Sequence, residues 1–357
     1  MAPSPELAIT ALGALSPIGH SAIDTASAQR AGIARFTSLP YAAPVSATSF
    51  DGTVYGSAIR GYTEGFVLFG RWLRIAEGCV RDLRRTIASH DSAFWEDTSL
   101  IACLPAYDDK RMLWTEAEHE ALAQSRFIEP LALLAGLSRS HSKLHFGHCS
   151  TARALASCSP EFSSTRRRRA LVVAVDSLVD ESGLRWLDET RRLKPANPQG
   201  VVPGEAGACL LVESVDACRS RAATMLAKFR SFDAGDAPKA LDSAELGRAW
   251  ARQLGGTGLL PSDASTPVDL YVDLNGEAWR AQTWGHALHH LRSTVDFDAV
   301  RQIEPATSLG EIGAASAAIA VCLAARSFER NYASGKCALV ASLDERGASA
   351  CIALERC

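Results

Sequence analysis

ALVVAV, at Ala170–Val175, and GACLLV, at Gly207–Val212, are two wholly apolar runs near the middle of the chain. Short runs of this kind are typical of strands that are covered on both faces. Similar runs recur on both sides of them, at Leu7–Leu12 and Leu270–Leu274, and segments with apolar residues at helical spacing lie between. This alternation predicts an α/β protein whose sheets are mainly parallel and buried.

The remaining elements follow from the same patterns. Strands are predicted at 99–103, Cys337–Ala341 and Ser349–Leu354, and helices at 64–90, Thr115–Ser125, 151–158, 241–254 and 277–293 and from about residue 312. The mixed-charge stretch 213–240 is the predicted join between two halves. We expect Gly204 and Gly207 to be structural, because a Cβ atom in this turn would clash or the backbone φ would have to be positive.

Composition excludes several classes of protein. The 357 residues suffice for two domains or one large one, and 47% apolar and 22% charged residues are ordinary for a globular chain. A net charge of −3 argues against a nucleic-acid-binding protein that works through bulk positive charge, and against an acidic disordered chain. Ten scattered cysteines, without CxxC pairs or metal-ligand spacing, exclude a disulfide scaffold and favour the cytoplasm. We expect no metal and no cofactor.

No targeting or membrane segment is predicted. The start, MAPSPELAIT, has neither a basic region nor a long apolar one, so it does not resemble a signal peptide. The apolar run Ile312–Ala325 is shorter than the roughly 20 residues that a membrane span needs. We therefore predict that this run forms a buried helix.

Five segments, some of which contain the runs quoted above, occur in the same order as in a known protein family. They are LAITALGALSPIG (Leu7–Gly19), ALVVAVDS (Ala170–Ser177), RLKPANPQGVVPGEAGACLLVE (Arg192–Glu213), VDLNGEAWRAQTWG (Val272–Gly285) and SLGEIGAASAAIAVCLA (Ser308–Ala324). Together they resemble the β-ketoacyl synthase branch of the thiolase superfamily. The third is the most specific, because the family has a loop, a V-P-G-E-G-A segment and a strand ending in Glu at this place.

The resemblance implies a fold and an assembly. The fold is an α/β, thiolase-like five-layer αβαβα sandwich of two similar halves, which we place at about 1–215 and 216–357. The assembly is a dimer, in which the ALVVAV strand pairs across the two-fold axis.

The resemblance also implies where the chemistry lies. The active enzymes that the chain resembles use one cysteine at a strand-to-helix turn and two histidines in the second half. Cys149, in FGHCSTARAL (Phe146–Leu155), matches the cysteine, because a glycine turn precedes it and a helix follows. It would take the acyl group as a thiolate of lowered pKa. The alternative is a small apolar residue that is buried at a helix start.

Neither family histidine is present. Asn275-Gly276-Glu277 stands in place of the family's H-G-T, and an asparagine can donate a hydrogen bond but cannot shuttle a proton. In the second motif, Gly310 or Glu311 takes the histidine's place, depending on a one-residue gap. A carboxylate there would repel an oxyanion unless it were protonated.

The C-terminal loop departs from the family too, since Leu343–Ala348 replaces the family's G-F-G-G with its gatekeeper phenylalanine. The candidate catalytic residues are therefore Cys149, Asn275 and Glu311, and the candidate binding residues are His148, Glu277, Gly310 and Arg346. Because His148 adjoins Cys149 in sequence, we do not expect the two side chains to face each other.

Other polar residues have simpler interpretations. His286 and His290 have a spacing that can hold a metal, but no HExxH motif accompanies them, so a surface role is favoured. Asp176 and Glu205 match family residues that organise loops, and we expect structural duty. The run Arg166–Arg169 is either a landing patch for an acidic carrier protein or, as we favour, a solvated loop.

Two functions remain open. The loss of both histidines and the gatekeeper loop favours a non-catalytic binding, partner-subunit or adaptor protein, one that serves a secreted effector being included. The alternative is a divergent acyltransferase or condensing enzyme that acts on acyl thioesters through Cys149, and a weaker one is hydrolysis with Glu277 or Glu311 as base. The expected partners are a second copy or a related chain, acyl carrier protein, acyl-CoA or a secreted effector protein, with no nucleic acid and no membrane.

Overall fold

The computed structural model describes residues 5–42, 53–87, 91–138, 141–194, 196–235 and 242–357. Its strands are β1 Leu7–Leu15, β2 Thr37–Ala42, β3 Thr53–Gly56, β4 Ser99–Leu104, β5 Ser142–Phe146, β6 Arg169–Ser177, β7 Glu205–Ser214, β8 Ala227–Gly235, β9 Val268–Val272, β10 Val300–Ile303, β11 Cys337–Leu343 and β12 Ser349–Glu355. Its α-helices are α1 Ala22–Arg30, α2 Leu68–Thr86, α3 Ser92–Glu96, α4 Glu116–Ala123, α5 Glu129–Leu134, α6 Ser150–Ser164, α7 Glu181–Glu189, α8 Val215–Ser220, α9 Ser243–Gly256, α10 Ala278–Leu291, α11 Ala306–Leu309 and α12 Ser316–Glu329. A π-helical turn, Gln124–Ile128, connects α4 to α5, and 3₁₀ turns lie at Phe297–Ala299 and Gly313–Ala315.

The strand order in the ten-stranded sheet is β10-β9-β11-β12-β8-β1-β7-β6-β4-β5. Strands β2 and β3 form a separate two-stranded sheet. The blocks β5-β4-β6-β7-β1 and β10-β9-β11-β12-β8 each consist of two parallel pairs followed by two antiparallel pairs. They join only where β1 pairs with β8, at Ala8–Lys228 and Ile9–Ala227. The protein therefore has two similar halves, whereas the boundary between residues 215 and 216 stays a prediction.

Helices separate and cover the two blocks of strands. Helix α2 packs on the outer face of the first block, whereas α9 packs against β12 on the outer face of the second and α10 packs on α9. Between the blocks, α6 contacts β4, β5 and β6 on one side and β8 and β12 on the other, and α12 contacts β1 and β7 as well as β9 and β11. This arrangement is the five-layer αβαβα sandwich.

The alanine-rich sequence of α12 suits the middle layer. Residues Ala317–Ala325 are buried around the whole circumference of the helix, and they form one core cluster with β1, β6 and β7 and with β11 and β12. A helix that is apolar all round is a buried helix, and small side chains let it fit between two sheets. The predicted burial of Ile312–Ala325 is confirmed. No helix in the described ranges is both long and apolar enough to cross a membrane.

The prediction of mainly parallel sheets is wrong. Both predicted central strands take part in antiparallel pairs, because β6 pairs antiparallel with β7, and β7 with β1. An apolar run shows that both faces of a strand are covered. It carries no information about the direction of the neighbouring strand, which depends on the connection.

The expectation that ALVVAV pairs across a dimer axis is also wrong. The run lies inside β6, which pairs with β4 on one side and with β7 on the other. Its backbone hydrogen-bonding groups are therefore used within the chain. The outermost strand of this block is β5, whose side chains are mostly half-buried.

Most predicted elements coincide with observed ones, but their ends differ. The predicted helix 64–90 corresponds to α2, and residues 88–90 lie outside the described residues. The stretch 213–240, predicted as a join, contains α8 and the unpredicted strand β8, and residues 236–240 are again outside the described part. Pro195, within the most specific family segment, is not described either.

Gly204 connects the two halves. Its N–H donates to the carbonyl oxygen of Glu311 at 2.9 Å, and a Cβ atom would lie 2.1 Å from the backbone oxygen of Leu309. At Gly207, a Cβ atom would lie 2.6 Å from Cγ2 of Ile75. Both glycines are therefore required by close approach of neighbouring atoms.

We predict that Gly204→Ala lowers the free energy of unfolding by about 1–3 kcal/mol, because the added methyl group meets backbone that cannot move aside. Gly285→Ala is the matched control: Gly285 lies in α10, and a Cβ atom there meets no atom within 4 Å. Alanine should stabilise this exposed helical position by up to about 1 kcal/mol. Urea unfolding measures both changes, and equal stabilities for the two variants would contradict the assignment of Gly204.

Candidate functional site

Loops from both halves meet at one end of the sheet. Gly147–Cys149 follows β5, Asn275–Glu277 follows β9, and Asp344–Arg346 follows β11. The loop Gly310–Glu311, after α11, lies against them. The structure thus brings all seven candidate residues to one region, at the carboxyl ends of parallel strands, where α/β proteins commonly place ligands.

A glycine turn positions Cys149. Gly147 has φ +87°, and a Cβ atom there would lie 2.3 Å from Oδ2 of Asp344. The N–H of His148 donates to the same Oδ2 atom at 3.1 Å. Cys149 then takes the position before the first residue of α6, as the resemblance implies.

The Cys149 thiol is fully buried and in contact with carbonyl oxygens. Its Sγ atom donates to the oxygen of Ala348 at 3.3 Å and lies 3.9 Å from that of Ser342. Burial, with a further contribution from the charge of Asp344, raises the pKa of this thiol well above its usual range. The surroundings thus favour the protonated thiol, although the residue stands at a helix N-terminus.

Asn275 lies between two carboxylates. Its Nδ2 atom donates to Oε2 of Glu277 at 3.0 Å and also to Oε2 of Glu311. Its Oδ1 atom accepts from the N–H of Glu277 at 3.1 Å. Since a side-chain amide has two N–H donors, both hydrogens of Asn275 are engaged within the protein.

Glu311 forms an ion pair with His148. Nε2 of His148 lies 3.1 Å from Oε1 of Glu311, and both side chains are buried. Burial alone would lower the pKa of His148, but the charge and hydrogen bond of Glu311 outweigh it and raise that pKa to about 10. Burial would raise the pKa of Glu311, but the charge of His148 outweighs it, and this pKa lies well below its usual range. The pair is therefore charged at neutral pH.

Gly310 and Glu311 have distinct roles in their loop. Gly310 has φ +70°, and a Cβ atom there would lie 2.6 Å from the oxygen of Val202, so this position excludes a side chain. The Glu311 N–H donates to the same oxygen at 2.8 Å. Glu311 is consequently the residue whose side chain enters the site.

Two arginines, the buried Arg280 and the half-buried Arg192, extend the charged cluster. Arg280 is fully buried, and its Nη1 atom donates to Oδ2 of Asp273 at 3.0 Å and to the oxygen of Leu343. Arg192 donates from Nε to Glu277 at 2.6 Å and from Nη2 to Glu345 at 2.6 Å. Carboxylates and cations alternate through the cluster, which balances most of its charge.

Sequence reasoning missed Asp273, Arg280, Arg192 and Glu345. Each stands at or just beyond the end of a predicted element or inside a quoted family segment. Charged residues directly after apolar strands are the one signal that could have found Asp273 and Glu345.

A cleft of about 200 Å³ opens beside the cluster. His148, Arg346 and Gly147 line it, together with Tyr107 and Trp186, but Cys149 is not among its lining residues. The backbone N–H of Arg346 donates to Oδ1 of Asp344 at 2.9 Å, and its exposed guanidinium reaches the oxygen of Tyr107. Arg346 thus lies at the rim of the cleft.

Asp176 and Glu205 each accept hydrogen bonds from more than one segment of the chain. Oδ1 of Asp176 accepts from the buried Arg111 at 2.5 Å, and Oδ2 accepts from the N–H of Ala314 at 3.0 Å. Glu205 accepts from Nε of Arg71 at 2.6 Å and from the N–H of Ile59 at 2.7 Å. These hydrogen bonds hold Arg111 and Ala314 against Asp176, and Arg71 and Ile59 against Glu205, while Asp176 also lines the cleft.

The remaining polar candidates lie at the surface or are used locally. His286 and His290 are exposed on α10, and among the described residues no group of His, Cys, Asp and Glu side chains is arranged to hold a metal. In the run Arg166–Arg169, Nη1 of Arg168 donates to carbonyl oxygens at the end of α6, and Arg169 pairs with Asp97 at 3.3 Å. At least half of this run therefore has a local structural role.

The similarity of the chain to known proteins lies in its fold. No protein-family model and no curated protein matches the chain. Solved structures match it over 99% of its length: the oxazolomycin ketosynthase domain OzmH KS7 of Streptomyces albus JA3453 (13% identity, 74% of that chain, TM-score 0.75) and the ishigamide ketosynthase/chain length factor (15%, 100%, 0.73). A third is a type II polyketide ketosynthase in complex with its acyl-carrier protein and bound to the hexaketide (14%, 100%, 0.75).

The chain has the ketosynthase fold. This agrees with the thiolase-like resemblance of its five segments. At identities of 12–15%, the likeness concerns the fold alone, and the function has to be argued from the site.

The ion pair of His148 predicts a pH dependence of stability. Between about pH 7 and pH 9 the folded protein keeps a proton on His148 that the unfolded chain releases, since the pKa is raised from 6.5 to about 10. This contribution is fully present below the unfolded pKa and is lost as the pH rises, by up to about 1.4 kcal/mol per pH unit. We expect His148→Gln to lack this slope in urea unfolding measured at several pH values.

His145→Gln is the control for this measurement. Burial lowers the pKa of His145, so its contribution disappears only as the pH falls, and its removal should leave the slope above pH 7 unchanged. Identical slopes for the wild type and His148→Gln would show that the ion pair is not formed in solution.

Proposed function

We propose that this ketosynthase-fold protein is a non-catalytic binding or partner subunit, which does not carry out decarboxylative condensation by itself. The observation that carries the proposal is the closed cluster of Asn275, Glu277, Glu311 and His148, at the place that corresponds by resemblance to the two family histidines. Each group that could act on a substrate has a protein partner instead.

The oxyanion of an acyl-transfer reaction needs donors that are free to point at it. Asn275 is the candidate donor, but its two amide hydrogens are taken by Glu277 and Glu311. The ionised Glu311 adds a negative charge where negative charge would develop. This supports loss of the electrostatic stabilisation that, in other enzymes, accounts for a factor of about 10²–10³ per donor.

Neither His148 nor Cys149 is poised for proton or acyl transfer. A histidine whose pKa is raised to about 10 is protonated at neutral pH and is a poor base. The Cys149 thiol faces carbonyl oxygens, which favour S–H over a thiolate. These features oppose the activated thiolate that acyl transfer requires.

The partner in this proposal is a second copy or a related ketosynthase-fold chain. Two of the similar structures are a ketosynthase with its acyl-carrier protein and a ketosynthase/chain length factor, so assembly and carrier binding occur among proteins of this fold. The edge strand β5 offers a surface for such pairing, since no other described strand lies on its outer side. An adaptor that serves a secreted effector is a narrower form of the same proposal.

We also propose a cytoplasmic location. All ten cysteines are free, and eight of them are buried. A protein built with this many unpaired thiols suits a reducing compartment.

A divergent acyltransferase that acts through Cys149 is the second candidate. It is favoured by the strand-to-helix position of Cys149 after a glycine of positive φ and by the cleft that reaches the adjacent His148. Acylation would require the thiol to lose its proton and the contacts with Ala348 and Ser342 to open.

For the assembly, we predict a dimer at micromolar concentration. The edge strand β5 and its half-buried side chains leave one side of the first block uncovered in the single chain, and obligate interfaces bury more than about 2,000 Å². Light scattering over a dilution series measures the mass. A monomeric mass at every concentration would contradict the homodimer. The remaining form of the proposal would then be a heterodimer with a related chain.

For the activity, we predict no malonyl-dependent product and slow or absent acylation when the protein is incubated with acyl-CoA and acyl-carrier thioesters. Intact mass spectrometry detects the acyl adduct, and product analysis detects condensation. Cys149→Ala tests the nucleophile, and Cys158→Ala is its matched control, because Cys158 is an equally buried thiol of raised pKa in the same helix.

The outcomes separate the two candidate functions. A mass adduct that disappears in Cys149→Ala and persists in Cys158→Ala would establish the acyltransferase. A malonyl-dependent product would overturn the non-catalytic proposal altogether. Binding of carrier or partner that is equal in the wild type and in Cys149→Ala, without any adduct, would support it.

A further inference from the structure

A second concave surface lies away from the candidate site, between α1 and the end of α12. Its main cavity, of about 570 Å³, is lined by Ile23, Ala26, Ser27, Arg30, Ala31, Arg326, Arg330 and Tyr332. An adjoining cavity of about 420 Å³ shares Arg30 and Tyr332 and adds Arg301 from β10. We call the two together the arginine groove. None of the candidate catalytic residues lines either cavity.

Positive charge in the arginine groove is only partly compensated. Arg301 pairs with Asp269 at 2.6 Å, and Arg326 pairs with Glu329. Arg30 and Arg330 take part in no ion pair among the described residues, and both are exposed. Glu304, which lines the smaller cavity, offsets part of this charge, and the two unpaired arginines leave a local excess of positive charge on a chain whose net charge is −3.

Aromatic and apolar groups make up the rest of the surface. The guanidinium of Arg30 lies over the ring of Tyr332, 4.3 Å from its centroid, which holds the positive charge over the centre of the groove. Ile23 is 50% exposed on the same helix, and Ile33, just beyond the end of α1, is 45% exposed. Ile33 lines neither cavity, so Ile23 is the exposed isoleucine of the groove itself.

We propose that the arginine groove binds an acidic, partly apolar segment of a partner protein. Carboxylates of the segment would pair with Arg30 and Arg330, since guanidinium groups match carboxylates in a bidentate geometry. Apolar side chains of the segment would cover Ile23, which lines the groove and is half exposed. A small phosphate compound would satisfy the arginines but would leave Ile23 uncovered, so the protein segment fits the surface better.

This surface lies outside the cluster of Cys149, Asn275 and Glu311, so the inference holds whether or not the protein transfers acyl groups. It also differs from the expectation for Arg166–Arg169. Arg168 and Arg169 are held by local contacts, whereas Arg30 and Arg330 are available to a partner.

The test uses a fluorescent amphipathic peptide, with glutamates on one face and leucines on the other, and the full-length protein. We expect binding that weakens as the salt concentration rises, because exposed charges are screened. The double variant Arg30→Glu/Arg330→Glu should bind the peptide at least about tenfold more weakly, since two attractions become repulsions. Its control is Arg248→Glu/Arg252→Glu, which reverses two exposed arginines on α9 and should bind as the wild type does.

Further measurements decide how the binding result is interpreted. Equal melting temperatures of the two double variants show that both are folded, and a peptide with serines in place of leucines should bind more weakly because it cannot cover Ile23. Equal binding by both double variants, or no binding by the wild type, would overturn the proposal. So would ATP displacing the peptide and binding as tightly as it does, because the groove would then be a site for small phosphate compounds.

Discussion

The ion pair between His148 and Glu311 is the contact on which the candidate site depends. It joins the first half to the second, and the loop of Glu311 is in turn held against Val202 and Gly204 by two backbone hydrogen bonds. The buried Asn275 and Glu277 and the half-buried Arg192 continue from it as a chain of hydrogen-bonded groups. Removing one member of such a set leaves an unpaired buried charge, at a typical cost of about 3–5 kcal/mol. The cluster therefore ties loops of the two halves together.

On the non-catalytic proposal, the same constraint implies that a single substitution would not create an active site. A histidine at position 311 would lie against the protonated His148 and near the buried Arg280, so the carboxylate that now pairs with His148 would be lost. The buried charged residues of this cluster therefore constrain one another.

The sequence predicted burial better than direction or pairing. The apolar runs identified β6 and β7 correctly, but not that they are antiparallel, nor that β6 lies inside the sheet, because neither property leaves a mark on side-chain polarity. Strand β8 was missed since its alternating burial and several charged residues conceal it, and only its position between β1 and β12 makes it a strand. In the site, the ordered family segments placed Cys149, Asn275 and Glu311 near one another. That His148 would face Glu311 was not predicted, because the resemblance gives His148 no partner and its neighbour Cys149 only suggested that the two adjacent side chains point apart.

The position of β1 has a consequence for how the chain is made. Strand β1 lies at the centre of the sheet, and its two strand partners follow much later in the chain, since β7 begins at Glu205 and β8 begins at Ala227. All of the chain between β1 and β7 must therefore leave the ribosome before LAITAL finds its hydrogen-bonding partners. Long-range pairing of this kind folds slowly and leaves an apolar strand exposed to aggregation in the meantime. The nascent chain thus carries β1 without its strand partners until β7 has been synthesised.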